Sequence, residues 1–155
     1  MQTPVATTQM LIRRPAPAVF AAFADPAITA RFWFSSGSAV LEEGETVQWE
    51  WEMFGASAQV RVLRLEPDKR IVIEWPGQGT TNTVEWLFAD RHGEGTLVSI
   101  CESGFDPAAG DIVGQVADAT GGFSLVLAGA KAWLEHGIAL NLVADRFPDG
   151  PSCHA

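Results

Sequence analysis

Residues 45 to 105 constrain this chain most, because apolar and polar side chains alternate there through one segment after another. In TVQWEWEMF, Val47, Trp49, Trp51 and Met53 share one face, and Gln48, Glu50 and Glu52 the other. That pattern predicts half-buried antiparallel strands with one wet side. ASAQVRVLRLE groups Ala58, Val60 and Val62, then slips phase at Val62-Leu63, which predicts a bulge or a strong bend. RIVIEWP groups Ile71, Ile73 and Trp75. TTNTVEWLFAD sets Asn82, Val84, Trp86 and Phe88 against Thr83, Glu85 and Leu87, and GTLVSICESGF puts Thr96, Val98, Ile100 and Glu102 in one register. Pro67-Asp68, Gly77, Gly79 and the Gly-flanked loop Arg91–Gly95 supply the breaks that turn these runs into a meander.

The flanks read differently. Residues 4 to 12 predict a first strand ending at Arg13-Arg14. Pro15 and Pro17 suit a helix entrance, followed by an apolar stripe of Val19, Phe20 and Phe23. Asp25-Pro26 stops that helix or starts a second short one, and Phe32, Trp33 and Phe34 precede a Ser-Ser-Gly-Ser loop. Near the other end, Asp111 caps a segment containing Ile112, Val113, Val116 and Ala117. Gly121-Gly122 is read as a break. After it, Phe123, Val126, Leu127, Ala130, Trp133, Leu134 and Ile138 form a helical stripe whose end Gly137 loosens. A sheet with one apolar face needs one cover, and the long helix is the natural cover. The predicted fold is α+β: a curved antiparallel sheet of about six to seven strands wrapped around a long C-terminal helix. It is expected as one domain over 1–155, with a core over about 5–142 and a tail, 143–155, ordered in its first half.

Ten Lys and Arg against nineteen Asp and Glu give a net charge of −9. Binding a phosphate backbone relies on clustered cations, and the adjacent pair Arg13-Arg14 is better read as a strand end, so nucleic acid is not an expected partner. Cys101 and Cys153 lie too far apart for a redox or zinc knuckle, and His92, His136 and His154 show no ligand spacing, so no metal is expected. No apolar window is read as a membrane span and no secretory signal is visible, which makes the cytoplasm the expected location.

Three segments carry a family resemblance. VFAAFADPAITARFWF resembles the opening helix and loop of the START-like, or helix-grip, superfamily, GTLVSICESGF its last strand, and GGFSLVLAGAKAWLEHGI its long terminal helix. The closest branch is the one named after the activator of the heat-shock-protein-90 ATPase. The resemblance covers roughly residues 5 to 142. It implies a cavity between sheet and helix, which members use for lipids, sterols, polyketides or hormones. Its motifs are structural, with no catalytic signature among them, and fold does not select function. Co-chaperones of this branch carry a separate N-terminal domain that engages the chaperone, and that activity is not expected to carry over.

By alternation the inner face displays Trp49, Trp51, Met53, Trp75, Asn82, Trp86, Phe88 and Glu102, answered by Phe123, Leu127, Ala130 and Trp133 from the helix. With Trp33, these aromatics either fill the core or line an apolar site. The small residues Gly121, Gly122, Ala128, Gly129 and Ala130 leave room for a guest or simply interdigitate. Glu102 is the sharpest residue. Pointing inward, its carboxyl would be desolvated, which suits a general acid or base, a ligand anchor, or a structural ion pair with an arginine such as Arg31. Asn82 is a second inward polar anchor. His92 is expected exposed in its hairpin, and His136 near the negative end of the helix dipole. No nucleophile elbow, phosphate loop or dinucleotide fingerprint occurs, so no cofactor is expected.

The expected function is binding of a small, largely hydrophobic molecule between sheet and helix. Two alternatives stay open. One is a cyclase- or hydratase-type enzyme using Glu102. The other is a co-chaperone-like or homodimeric interaction module using an exposed Trp33 and Phe34.

Overall fold

A computed structural model describes residues 3–150. Strand β1 (Ala6–Ile12) leads into helices α1 (Ala16–Ala24) and α2 (Pro26–Thr29). Strands β2 (Ser36–Gly37), β3 (Thr46–Trp51), β4 (Ala56–Glu66), β5 (Arg70–Pro76), β6 (Thr81–Asp90) and β7 (Thr96–Ser103) follow. Helices α3 (Ile112–His136) and α4 (Leu142–Arg146) complete the described chain. The seven strands form one antiparallel sheet in the order β1-β7-β6-β5-β4-β3-β2, curved around α3.

Alternation sets the registers. In β7, Thr96, Val98, Ile100 and Glu102 are all buried while their neighbours are half-exposed. Trp86 lies across from Ile100 and Ile71, building an apolar row across three strands. The ladder between β4 and β5 shifts between Val62 and Arg64, the bulge that the phase slip predicts. Asp25 caps α2 through the Ala27 backbone N–H, and Asp111 caps α3 through that of Gly114.

Four expectations are corrected. First, Met53 is not on the inner face. Residues Glu52–Phe54 form a 3-10 turn closed by Gly55 in a left-handed conformation (φ 62°), and Met53 is 41% exposed. The β3–β4 hairpin has to reverse somewhere, and the glycine takes a positive φ without strain.

Second, Gly121-Gly122 breaks nothing, and α3 runs unbroken over 25 residues. The intrinsic penalty of about 1 kcal/mol per glycine is overridden by packing. Third, the merged helix has an 18-residue window of mean hydropathy 1.3, long and apolar enough by composition to cross a membrane, against the expectation. Phe123, Val126, Leu127, Gly129 and Ala130 of this helix are instead buried in the fold.

Fourth, Trp33 and Phe34 are not exposed. They are 7% and 2% exposed, and both rings lie 5.0 Å from that of Trp49. The surface on which the interaction module rested is therefore core. Gly129 is packing too, since a Cβ there would come within 3.1 Å of Phe32 Cβ. Cys153 and His154 lie outside the described residues.

The far half of α3 is tied to β1. Lys131 Nζ donates to Leu11 O and to Glu135 Oε2, both at 2.7 Å. Glu135 Oε2 also accepts from the Arg13 backbone N–H at 2.7 Å, and the Arg14 guanidinium donates to Glu135 O at 2.7 Å. Gly137 then ends the helix in a left-handed conformation (φ 67°).

Candidate functional site

A cavity of about 220 Å³ opens between the near half of α3 and the sheet. Trp33, Trp75, Glu102 and Phe123 line it, with Phe54 from the 3-10 turn and Val143, Arg146 and Phe147 from the C-terminal segment. Asn82 stands behind Glu102. Trp49, Trp86, Phe88 and Leu127 are buried in the core and do not line this cavity. Trp51 is half-buried, its ring 5.9 Å from Trp33 and 6.4 Å from Trp75.

Glu102 organises the polar part. It is 6% exposed. Trp75 Nε1 donates to its Oε2 at 2.9 Å, and Asn82 Nδ2 donates to the same oxygen at 3.0 Å. Among the described residues no donor reaches Oε1. Arg31, the ion-pair partner considered from sequence, lies over the Trp133 ring at 5.1 Å instead. Burial pushes the Glu102 carboxyl above its ordinary range. The bonds from Trp75 and Asn82 pull it back in part, and the Asp118 carboxylate adds a further upward push.

Because both donors occupy Oε2, a proton on this carboxyl belongs on Oε1, the oxygen they leave free. Ionised, Oε1 accepts a hydrogen bond; protonated, it donates one. That is the arrangement of a ligand anchor, and chemically also that of an acid–base group. Two buried polar atoms nearby have no partner, Asn82 Oδ1 and Trp86 Nε1.

Sequence reading missed the fourth wall. The segment DRFPDG is expected as the ordered half of a tail with no part in the site, yet Arg146 and Phe147 close the cavity mouth. The Phe147 ring meets that of Phe54 at 6.2 Å, and the Arg146 guanidinium lies 4.8 Å from the Phe147 ring centre. The available signal was the pair of glycines. A Cβ on Gly121 would stand 3.0 Å from Arg146 Nη2, and one on Gly122 3.3 Å from Nη1. The glycines seat a guanidinium against the helix. His92 is exposed in its hairpin, and His136 is exposed in the last turn of α3.

A curved antiparallel sheet gripping one long helix, with a partly polar cavity at one end of that grip, defines a START-like, helix-grip domain. Within that class the chain belongs to the family described as Activator of Hsp90 ATPase homolog 1-like protein, which matches residues 13–135. Among curated proteins none matches.

Solved structures share the fold. Protein SSP2350 from Staphylococcus saprophyticus is 29% identical, covering 88% of this chain and 96% of that one, with a TM-score of 0.77. DynU16, a putative protein in the dynemicin biosynthetic locus, is 21% identical with a TM-score of 0.76; the match covers 87% of this chain and 48% of DynU16. The Aha1 dimer from Colwellia psychrerythraea is 16% identical, covering 86% and 98%, with a TM-score of 0.74.

Proposed function

We propose that this protein binds a small, largely apolar molecule in the cavity between α3 and the sheet, with Glu102 Oε1 as its polar anchor. The observation that carries this reading is a buried carboxyl with both protein donors on one oxygen and none on the other. A carboxylate oxygen that borders the cavity and takes no protein donor is free to accept from a ligand hydroxyl or amine. The walls supply aromatic area from Trp33, Trp75, Phe54 and Phe123. An apolar cavity of about 150 Å³ accommodates benzene, so 220 Å³ suits one ring with short substituents. The fold family is consistent with such a role.

The test is a pair of probes, para-ethylphenol and its O-methyl ether, titrated by NMR at about pH 8, where an ordinary carboxyl is ionised. The phenol should bind more tightly, with shifts centred on Trp33, Trp75 and Phe123. In Glu102→Gln, Trp75 and Asn82 hold the amide oxygen in the Oε2 place, so the NH2 faces the cavity. The preference should then invert towards the ether. Absence of shifts at those residues up to the solubility limit would sink the proposal.

The same carboxyl supports a second reading, an acid–base enzyme of cyclase or hydratase type. That reading requires turnover that collapses in Glu102→Gln while binding persists. Self-association is a separate proposal, prompted by the dimer formed by the Colwellia fold relative. A molecular mass that stays monomeric across a wide concentration range would dismiss it.

A further inference from the structure

Arg146 shares the cavity wall with two carboxylates, Glu102 and Asp118, and its surroundings are unusual for a cation in so acidic a chain. Its side chain is 28% exposed, lies over Phe147 and rests on Gly121 and Gly122. Its polar contacts among the described residues are two, both to Asp118. Nη2 meets Oδ1 at 3.3 Å and Nη1 donates to the backbone carbonyl at 3.4 Å. Both are long, and the Asp118 side chain is 64% exposed, so the pair is weak and open to competition. A guanidinium carries five N–H donors in a planar fork matched to a carboxylate, and most of them are unused here.

We propose that the cavity's ligand is an amphiphilic acid, with its carboxylate gripped by Arg146, its apolar body against Trp75 and Phe123, and a hydrogen-bond donor at its far end on Glu102. This inference rests on the binding reading above and adds the chemical class of ligand. The two anchors dictate the polarity of the guest. A carboxylate beside Glu102 would face like charge with no cation bonded there, whereas at Arg146 it competes with the long, solvent-exposed Asp118 contact and can bind in bidentate fashion. The net charge of −9 works against an anion at long range, so the preference has to come from these local contacts. The glycine pair fits the same account. A Cβ at 121 or 122 would crowd the guanidinium and make it give by a few tenths of an ångström, and α3 retains both glycines in mid-helix despite their cost.

Three phenols separate the possibilities: para-ethylphenol, which has no charge, phloretate, which adds a carboxylate, and tyramine, which adds an ammonium. Calorimetric titration of the full chain should give phloretate an affinity about tenfold or more above para-ethylphenol, the size of one charge-assisted contact. Arg146→Met should remove that advantage, so that phloretate binds no more tightly than para-ethylphenol to the same variant, and Arg146→Lys should restore part of it. Asp118→Asn, which removes the competing charge from the cavity wall, should strengthen phloretate several-fold and so tests the idea if Arg146→Met does not fold. Equal binding of phloretate and para-ethylphenol, or a preference for tyramine, overturns the acid class and leaves the cavity reading standing. If none of the three binds, both readings fall.

Discussion

The two ends of α3 treat a buried carboxylate in opposite ways. At the far end Glu135 is enclosed by the Lys131 ammonium, the Arg13 backbone N–H and the chain entering α1. Burial pushes its carboxyl up, but the Arg13 N–H and Lys131 pull it down further, to a net position below the ordinary range. At the near end Glu102 receives only the neutral donors of Trp75 and Asn82, borders open space, and sits above the ordinary range. A carboxylate paired with an ammonium and a backbone N–H ties helix to strand. One that faces a cavity with no cation bonded to it leaves chemistry to spare, and that difference, more than the number of aromatics, locates the site.

The comparison is open to attack at several points. The largest effect is expected from Leu127→Ala, in the packed stretch between the two ends. Leu127 is fully buried, and its truncation should cost about 2–5 kcal/mol in a denaturant melt. Phe147→Ala, at the cavity mouth, should cost under about 1 kcal/mol. Comparable losses would mean that the mouth is core and the contrast is wrong.

Next in size is Glu135→Gln, which should cost about 1 kcal/mol near neutral pH, because Lys131 keeps part of its solvation. The folded pKa of Glu135 is depressed, so its stabilisation is present above the unfolded pKa and disappears as pH falls through the folded one. Wild type and Glu135→Gln should converge in acid.

Glu102→Gln should give the smallest change, with the reverse pH dependence. The folded pKa of Glu102 is raised, so its contribution is fully present below the unfolded pKa and is lost as pH rises through the folded one. Thermal melts of Glu102→Gln should therefore gain on wild type with rising pH. Parallel pH curves for both variants would erase the distinction between the two ends.

Much of this is legible in the sequence. Alternation placed Glu102 and Asn82 on the inner face beside Trp86 and Ile100, and the phase slip located the bulge after Val62. The alternation failed where local chemistry changed without a change of period. It ran on through Met53, because the left-handed turn at Gly55 lies two residues later. The glycine pair was misread because its reason is a guanidinium 24 residues downstream, and no local window contains both.

The order of residues alone specifies the class of fold, the inward face along most of the strands and the presence of one acid among the apolar residues. Period and composition act through local geometry, and each residue reports its own side. Only the tertiary structure decided that Trp75 and Asn82 share one oxygen of Glu102, that Trp33 and Phe34 turn inward, and that Arg146 and Phe147 return to close the cavity. These are contacts between segments far apart in the chain, fixed by which surfaces remain to be covered once the sheet has curved around its helix.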